Sequence, residues 1–241
     1  MNTNNKVINF IKENNLIDKG DKIILALSGG GDSVFLFHLF LLLKKIYDIE
    51  FHCFHLNHNL RGDDSSLDEV FCINLCSQYN IPITVKSADI KEYANKVKNS
   101  IEEAARQIRY KELFELKTQI NFDKIATAHN LDDNIETVLQ RLIEGTGLKG
   151  LTGIPIIREG FIIRPLLCLT KNEINMFLKD NALMYRFDKS NNDVTYKRNF
   201  IRHKLIPIIS ELNRGYQVGF QRTIKNLNGI SEFYFKEIRK I

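Results

Sequence analysis

The 241-residue sequence contains no apolar run long enough to cross a membrane. Its longest apolar run, residues 34–43, is interrupted by His38 and falls short of the roughly 20 residues that a membrane-spanning helix needs. The N-terminus, Met1-Asn-Thr-Asn-Asn, also lacks the basic and then apolar pattern of a signal peptide. These absences predict a cytoplasmic protein without a membrane partner.

Cysteine is scarce, and the four cysteines form no C-x-x-C pair of the kind found in metal and redox sites. Cys53 and Cys168 lie within apolar runs, and the spacing of Cys72 and Cys76 places them on one helix face. Free cysteine is among the most buried residue types. We therefore expect buried free thiols in a reducing compartment.

Two common nucleotide-binding motifs are missing as well. Counted from Gly29, the third glycine of G-x-G-x-x-G would fall at Ser33-Val34, and no acidic residue closes the strand at 51–56. The motif G-x-x-x-x-G-K-S/T fails because no lysine follows the glycines. The sequence thus excludes the dinucleotide-binding and kinase-type phosphate loops.

What the sequence does contain is Ser28-Gly-Gly-Gly-Asp-Ser33, between a short apolar strand and an apolar helix at residues 33–45. Such a turn brings backbone N–H groups and the positive end of a helix dipole together, which predicts a phosphate site. The two serine hydroxyls can donate to phosphate oxygens, and Asp32 fits beside a phosphate if a cation such as Mg²⁺ lies between them. The alternative is a plain glycine-rich turn with Asp32 as a helix cap.

Strands and helices alternate along most of the chain, which predicts an α/β fold with a doubly wound parallel sheet. The predicted strands are 23–27, 51–56, 83–86 and 124–128, and the predicted helices between them are 33–45, 65–79 and 100–120. A hairpin or two short strands should turn at Glu159-Gly160. Helices are then expected at 170–182, 195–212 and 216–241, interrupted by Pro207 and Gly215.

A second polar cluster follows the fourth predicted strand, at the edge of the sheet where ligands of such folds bind. Asp132, Asp133 and Glu136 open a helix, and His129 lies one turn before Asp133. Carboxylates this close together repel one another unless a cation is shared, and ATP brings its own Mg²⁺. The alternative is the ordinary preference of acidic residues for a helix N-terminus.

Positive charge is concentrated at the end of the chain. Residues 1–180 carry a net charge of −2 and residues 181–241 a net charge of +7, with arginines interleaved among aromatics. This pattern favours a nucleic acid as partner over a solvated tail. Arg106 and Arg109 share a helix face with Glu102 and Glu103, so their spacing fits helical ion pairs and contacts with a triphosphate or a polynucleotide equally well.

These residues resemble a known family. The segment 28–33 matches the S-G-G-x-D-S loop of the N-type ATP pyrophosphatases. The segments HLNHNLRGDDS, EEAARQIRY, ATAHNLDDNIETVLQRLIEGTGLKGL and DKSNNDVTYKRNFIRHKLIP are similar, in this order, to successive blocks of the tRNA(Ile)-lysidine synthetase family. The similarity runs from about residue 22 to residue 207.

The resemblance implies a five-stranded parallel sheet of the PP-loop type and an ATP-dependent ligase. The wobble cytidine of a tRNA(Ile) with a CAU anticodon would attack the α-phosphate of ATP and release pyrophosphate. The ε-amine of free L-lysine would then displace AMP. The implied organisation is a catalytic domain at 1–214, with tRNA-contacting elements at about 145–205, and a helical extension at 215–241. A homodimer is left open.

The resemblance also implies roles for individual residues. The implied catalytic residues are Asp32, Arg109, His129, Asp133 and Glu136. ATP would be bound by Ser28, Gly29, Gly30, Gly31, Asp32 and Ser33, and Mg²⁺ by Asp32 and Asp133. The tRNA would be contacted by Arg106, Arg198, Asn199 and Arg202.

Two other functions remain as alternatives, a PP-loop enzyme that thiolates tRNA and a nucleotide-binding module without catalysis. The thiolation enzymes usually need a cysteine pair or an iron–sulfur cluster, for which Cys72 and Cys76 are poor candidates. Many lysidine synthetases continue into further C-terminal domains. The shorter sequence here fits either a minimal form that reads the anticodon arm alone or a truncation.

Overall fold

Alternating strands and helices form one six-stranded sheet that is covered on both faces by helices. The computed structural model describes residues 2–59, 63–187 and 197–238. The strands are β1 Lys22–Ala26, β2 Glu50–Asn57, β3 Ile83–Ser87, β4 Lys124–Ala126, β5 Ile157–Arg158 and β6 Ile162–Ile163. The predicted strands and the predicted hairpin are therefore confirmed.

The helices agree with the predictions in most places. They are α1 Thr3–Glu13, α2 Gly31–Tyr47, α3 Asp63–Gln78, α4 Ile90–Val97, α5 Ile101–Gln119, α6 Leu131–Glu144, α7 Leu148–Leu151, α8 Lys171–Asp180, α9 Lys197–Phe200, α10 Ile206–Leu212 and α11 Tyr216–Ile238. A 3₁₀ turn at Pro165–Cys168 precedes α8, and a π turn at Ile201–Leu205 joins α9 to α10. The sequence analysis did not predict α1 and α4.

The sheet has the order β3-β2-β1-β4-β6-β5. The first five of these strands are parallel to one another, whereas β5 runs antiparallel to β6. The sheet therefore has six strands rather than the five that were predicted. The extra strand arises because Glu159 and Gly160 both have positive φ and reverse the chain tightly between β5 and β6.

The central strand β1 shows why both faces of the sheet are covered. Ile23 and Leu25 point into the core on one face, with α1, α2, α3 and α8, while Ile24 points into the core on the other face, with α4 and α5. All three side chains are fully buried. An apolar run without polar alternation is typical of a parallel strand buried on both sides. The predicted doubly wound architecture is confirmed.

The basic C-terminal quarter packs against α6 through a third, smaller apolar cluster. Leu131, Ile135 and Leu139 on α6 meet Ile201 of the π turn, with Tyr216 and Phe220 beside them. The predicted interruption at Gly215 is confirmed, because α10 ends before it and α11 begins after it, whereas Pro207 does not interrupt the helical path. It lies in the first turn of α10, where its missing N–H group is tolerated, and the π turn precedes it. The predicted boundary at residue 214 stays a prediction.

Among the helices of the described residues, none is both long and apolar enough to span a membrane.

The chain after α7 is pressed closely against α6. Gly153 has φ +75°, and a Cβ at this position would overlap the side-chain oxygen of Asn134 on α6. That oxygen accepts a hydrogen bond of 2.6 Å from the Ile154 N–H. A side chain at Gly153 would therefore both strain the backbone and displace α6.

Replacing Gly153 by alanine should lower the free energy of unfolding by more than about 2 kcal/mol, because left-handed strain and overpacking add together. Gly160→Ala is the matched control, since its φ of +77° is similar but no atom lies within 4 Å of the added Cβ. This control should cost only about 1 kcal/mol from strain. Urea denaturation of both variants measures the difference, and equal losses would contradict the proposed overlap.

Candidate active site

The glycine-rich loop connects the end of β1 to the start of α2, as predicted. Gly30 is the N-cap of α2, and no side chain caps the first turn. The Ser33 hydroxyl donates to the Gly30 carbonyl at 2.9 Å and accepts from the Ser28 N–H at 3.2 Å. Ser33 is buried and therefore shapes the loop from inside, whereas Ser28 is exposed. The arrangement leaves the positive end of the α2 dipole without an acidic or hydroxyl cap from the preceding residue.

The glycines of the loop are required by close neighbours. Gly29 is buried with φ +84°, and its carbonyl accepts a 2.9 Å hydrogen bond from the Arg186 N–H. A Cβ on Gly31 would come within 3.1 Å of Leu178 on α8. Chain segments more than 140 residues away thus pack directly on the loop. A side chain would strain the positive-φ backbone at Gly29, whereas at Gly31 it would press on Leu178.

Asp32 lies in the first turn of α2 and forms an ion pair with Lys171. The Lys171 ammonium donates to Asp32 Oδ1 at 2.7 Å, and the Lys171 side chain remains 45% exposed. Burial raises the pKa of the Asp32 carboxyl, the Lys171 charge lowers it, and the neighbouring Asp133 charge raises it, with a net upward shift. The nearby Asn130 side chain lowers this pKa.

His129 lies between β4 and α6, beside a group of arginines. Its Nδ1 is 2.9 Å from the Thr127 hydroxyl. Burial, together with the charges of Arg164, Arg198 and Arg109, lowers the pKa of His129 to about 3. The imidazole is therefore neutral at physiological pH, so it can act as a hydrogen-bonding group but not as a cation.

Asp133 and Glu136 on α6 form an ion-pair cluster with Arg198 and Arg202. The Glu136 carboxylate is 1% exposed and receives Arg198 Nε at 2.7 Å and Arg202 Nε at 2.6 Å. Arg198 Nη2 also binds Asp133 Oδ1 at 2.8 Å. A carboxylate this deeply buried requires such pairing, because isolated charges are costly in a low-dielectric interior. The cluster attaches the basic C-terminal segment to α6.

The third predicted carboxylate, Asp132, serves a different purpose. Its Oδ2 accepts the backbone N–H of Lys171 at 2.6 Å, and its Oδ1 accepts a hydrogen bond from Gln217 at 2.8 Å. Asp132 therefore connects α6 to the first residue of α8 and to α11. Its role in the described structure is positional.

The remaining predicted residues lie around this centre. Arg106 is exposed and pairs with Glu103 at 3.0 Å on the same helix, which is the helical ion pair that the spacing allowed. Arg109 Nη2 lies 3.3 Å from His58 Nε2, and Asn199 follows Arg198 in α9. The predicted tRNA contacts of Arg106, Arg198, Asn199 and Arg202 stay predictions.

Mg²⁺ is a hard cation that prefers carboxylate oxygens, so the acidic side chains can be tested for their fit to it. Asp32 fits, since its carboxylate stands at the phosphate loop and its ion-pair partner, Lys171, has a side chain that is 45% exposed. Asp133 fits less well, because Oδ2 accepts the Asn130 N–H at 2.9 Å and Oδ1 accepts Arg198. Within the part of the chain that the structure describes, no three His, Cys, Asp or Glu side chains are grouped as a metal site.

The four cysteines are buried free thiols in the apolar core, as expected. Burial raises the pKa of Cys53 and Cys72, and it raises the pKa of Cys168 to about 12. Thiols of this kind are not ionised near neutral pH, so they are poor nucleophiles and poor metal ligands.

Sequence analysis missed Lys171, Asn130 and His55. Lys171 directly follows Thr170, whose capping box with Glu173 was the available signal for a helix start. Asn130 caps α6 in a reciprocal capping box with Asp133. His55 is buried on β2, and its Nδ1 is 2.9 Å from the Leu27 carbonyl, one residue before the loop. Lys171 and Asn130 contact the predicted site residues Asp32 and Asp133, and His55 contacts the chain just before the glycine-rich loop.

Comparison with known proteins identifies the family to which this fold belongs. Residues 1–209 match the family described as the PP-loop domain. The chain belongs to the PP-loop family. The predicted fold class is confirmed, and the segment Ser28–Ser33, which was predicted to bind phosphate, is called the PP-loop below.

Several curated proteins named tRNA(Ile)-lysidine synthase are similar to this PP-loop protein. Those of Clostridium perfringens and Clostridioides difficile are both 42% identical, over 236 and 233 residues. These matches cover 98% and 96% of this chain and 50% of each relative. The protein of Thermosipho africanus is 42% identical over 229 residues, which is 95% of this chain and 53% of the relative. The chain thus spans about half the length of these relatives.

Two solved structures share the PP-loop fold. The U34-tRNA thiolase NcsA of Methanococcus maripaludis, with its 4Fe-4S cluster, gives a TM-score of 0.74 at 20% identity and covers 93% of this chain and 77% of its own. The NH3-dependent NAD synthetase of Campylobacter jejuni gives a TM-score of 0.52 at 15% identity, with 93% of both chains covered. At these identities the similarity concerns the fold alone.

Glu136→Ala should lower the free energy of unfolding by roughly 3 kcal/mol, because it leaves two guanidinium groups without their buried partner. This is the lower end of the range for broken buried pairs, since both arginines are about one-third exposed. Glu144→Ala, on the same helix as Glu136, is the control. It removes only an exposed ion pair with Lys197 of α9 and should therefore change stability little. Urea denaturation provides the measurement, and equal effects of the two variants would refute the structural role of the cluster.

The His129 imidazole should stay neutral from pH 8 down to pH 5, because its pKa lies at about 3 in the folded protein. Its ring resonances in an NMR titration should therefore not move in this range. In urea, the same resonances should titrate near pH 6.5, the value of an unperturbed histidine. A midpoint near 6.5 in the folded protein would show that burial and the arginines do not act as described.

Proposed function

We propose that this chain carries the catalytic site of a tRNA(Ile)-lysidine synthetase. In the first step, the C2 carbonyl oxygen of the wobble cytidine attacks the α-phosphorus of ATP. The bond to the β-phosphate breaks, and pyrophosphate leaves with the electron pair. In the second step, the ε-amine of free lysine attacks C2 of the adenylated cytidine, loses a proton, and AMP leaves. The similarity to curated lysidine synthases along nearly the whole chain supports this choice.

The observation that carries the proposal is the joining of the PP-loop to the carboxylate–arginine cluster. The Lys171 ammonium donates to Asp32 of the PP-loop at 2.7 Å, and the Lys171 N–H donates to Asp132 at 2.6 Å, next to Asp133 in the first turn of α6. The phosphate loop at the end of β1 and the charged cluster after β4 therefore form one continuous site. A module that only binds a nucleotide would need the first part and not the second.

Within this site, the PP-loop would hold the phosphates of ATP. The amides at the start of α2 and the exposed Ser28 hydroxyl point to an anion site, and such donors stabilise the charge that develops on departing pyrophosphate. Asp32 would hold Mg²⁺, which supplies positive charge to the phosphates when bound. His129, neutral and close to Arg198 and Arg109, would accept or donate a hydrogen bond near the reacting phosphate.

The carboxylate–arginine cluster is suited to an amino acid substrate. Free lysine carries a carboxylate and two ammonium groups, and the cluster offers two guanidinium groups beside two carboxylates. An arginine could exchange its partner for the lysine carboxylate in bidentate geometry. Asp133, with 15% of its side chain exposed, is the more accessible carboxylate for the lysine amine or for its proton.

The tRNA would lie on the basic C-terminal segment. Arg198 and Arg202 pair with Asp133 and Glu136. Attraction of the tRNA phosphates would therefore come mainly from other cations. The exposed lysines and arginines of the described segment are Lys197, Lys204, Arg214, Arg222, Lys225 and Lys236. Side chains of this kind bind phosphate backbones through charge without reading sequence.

Thiolation of tRNA is the nearest competing function, since NcsA shares the fold. The four cysteines of this chain are buried, which favours ligation over thiolation. Burial raises the pKa of Cys72, which packs beside the PP-loop at Leu27 and Gly29. A sulfur-carrying role needs an accessible, ionisable thiol, which a buried core cysteine does not provide.

With ATP, Mg²⁺ and a tRNA(Ile) that has a CAU anticodon, the protein should incorporate radiolabelled lysine into the tRNA and release pyrophosphate and AMP in equal amounts. Asp32→Asn should reduce pyrophosphate release by at least about a hundredfold, because it removes the carboxylate that fits the metal–phosphate complex. Filter binding of labelled tRNA should stay within about twofold, because Asp32 is not expected to contact the nucleic acid.

The matched control is Cys72→Ala with Cys76→Ala, which should keep lysine incorporation at some cost in stability. Loss of activity in this control, or transfer of sulfur to the tRNA, would favour the thiolation enzyme. Release of no pyrophosphate with or without tRNA would favour a module that only binds nucleotides.

A further inference from the structure

We propose that Arg164, Tyr110 and Arg158 form a pocket for a backbone phosphate of the RNA strand that carries the reacting nucleotide. This inference rests on the proposed function and deepens it, since it gives the tRNA a contact outside the basic C-terminal segment. The three side chains, called the arginine–tyrosine pocket below, come from the end of β6, from α5 and from β5.

Arg164 is a buried cation with an unused donor. Only 3% of the residue is exposed, its Nη1 donates to the Pro155 carbonyl at 2.5 Å, and its Nη2 donates to the Tyr110 hydroxyl at 3.4 Å. Its Nε–H group is buried and has no hydrogen-bond partner among the described residues. A buried donor of this kind costs free energy in the folded protein unless a ligand accepts from it.

The charge of Arg164 is not balanced in the way that the charge of Arg198 is. Burial lowers the pKa of Arg164, and the positive charge of Arg158 lowers it as well. Burial also lowers the pKa of Arg198, but there the Asp133 and Glu136 carboxylates outweigh burial and raise the pKa. A buried guanidinium beside another cation calls for an anion, because an isolated charge in a low-dielectric interior is costly.

Tyr110 brings further guanidinium groups to the same place. The guanidinium carbon of Arg158 lies 5.2 Å from the centroid of the Tyr110 ring, and that of Arg106 lies 5.6 Å from it. Both arginines reach the surface, where each pairs with a neighbouring glutamate in an exposed ion pair that contributes little and can be exchanged. The Tyr110 hydroxyl accepts from Arg164, so it can donate its own hydrogen to a ligand.

The order of the strands places the pocket beside His129. The strands β1, β4 and β6 are neighbours in this order, and the PP-loop follows β1, His129 follows β4 and Arg164 follows β6. Burial and, after it, the Arg164 charge are the main causes that lower the pKa of His129. Neighbouring strands are about 4.8 Å apart, so a nucleotide at His129 can face ATP on one side and the pocket on the other.

The surface that continues from the pocket favours a polynucleotide over a small anion. Along α5 and the β5–β6 hairpin, Tyr110, Phe114 and Phe161 form a row of partly exposed rings with centroids 5.9 and 5.4 Å apart. The Lys117 ammonium lies 4.8 Å from the centroid of the Phe161 ring. Aromatic rings interleaved with cations suit unpaired RNA, because bases stack on the rings while the cations hold the phosphates. The guanidinium groups of the pocket add bidentate donors for one phosphate.

The test is fluorescence anisotropy of a labelled anticodon stem-loop RNA with the full chain, without ATP or lysine, at several salt concentrations. Arg164→Gln and Arg158→Gln should each weaken RNA binding about tenfold and reduce the salt dependence by about one counterion, because each removes a phosphate contact. Lys111→Gln is the matched control, since it removes an exposed positive charge from the same helix as Tyr110. Its RNA affinity should stay within about twofold of the unmodified protein.

Urea denaturation separates RNA binding from folding. Arg164→Gln removes a buried charge without a carboxylate partner, so its urea midpoint should stay unchanged or rise while its RNA affinity falls. Unchanged RNA affinity in Arg158→Gln would overturn the inference whatever the stability of Arg164→Gln. An equal loss of ATP affinity by calorimetry, or stronger competition by a phosphoserine peptide than by unlabelled RNA, would overturn it as well. The RNA assay needs neither ATP nor lysine, so the pocket can be confirmed even where lysine incorporation fails.

Discussion

The buried carboxylate of Glu136 is the group on which the rest of the site depends. A charge that is almost entirely removed from water must be paired, and here both partners come from a distant part of the chain. By binding Arg198 and Arg202, Glu136 fixes the C-terminal segment against α6, beside the apolar contacts of Leu131 and Ile135. The same ion pairs keep the neutral His129 next to positive charge. Glu136 thus determines both how the C-terminal segment packs on α6 and which positive charges lie beside His129.

Three helices begin at this site, and their first turns carry its chemistry. Asp32 stands at the start of α2, Asp133 at the start of α6 and Lys171 at the start of α8. The carboxylates are favourable at these positive helix ends, whereas Lys171 is not. Its placement there is compensated by Asp32 and by Asp132, which accepts its N–H.

The sequence predicted those parts of the structure that depend on local spacing. The PP-loop, the α6 carboxylates with His129 and the alternating strands and helices are all visible as short patterns. The contact of Lys171 with Asp32 and the contacts of Arg198 and Arg202 with Glu136 span 62 to 139 residues, and no local pattern encodes them. The helix α1 was missed although Val7, Ile8 and Ile11 follow a helical spacing and Val7 and Ile11 are buried. The turn at Glu159-Gly160 was predicted, but the count of five strands omitted the two-residue edge strand β5.

The basic quarter of the chain holds two populations of positive charge that differ in their response to ionic strength. Arg198 and Arg202 pair with Glu136, which is 1% exposed, so salt screens their interactions much less than those of surface charges. The exposed cations, such as Lys204 and Arg222, face solvent and are screened beyond about 8 Å under physiological conditions. Rising salt would therefore release a bound polyanion from this surface while the helices beneath it stay in place. Binding of a polyanion and packing of the helices thus depend on different cations, although both sets lie in the same basic stretch of sequence.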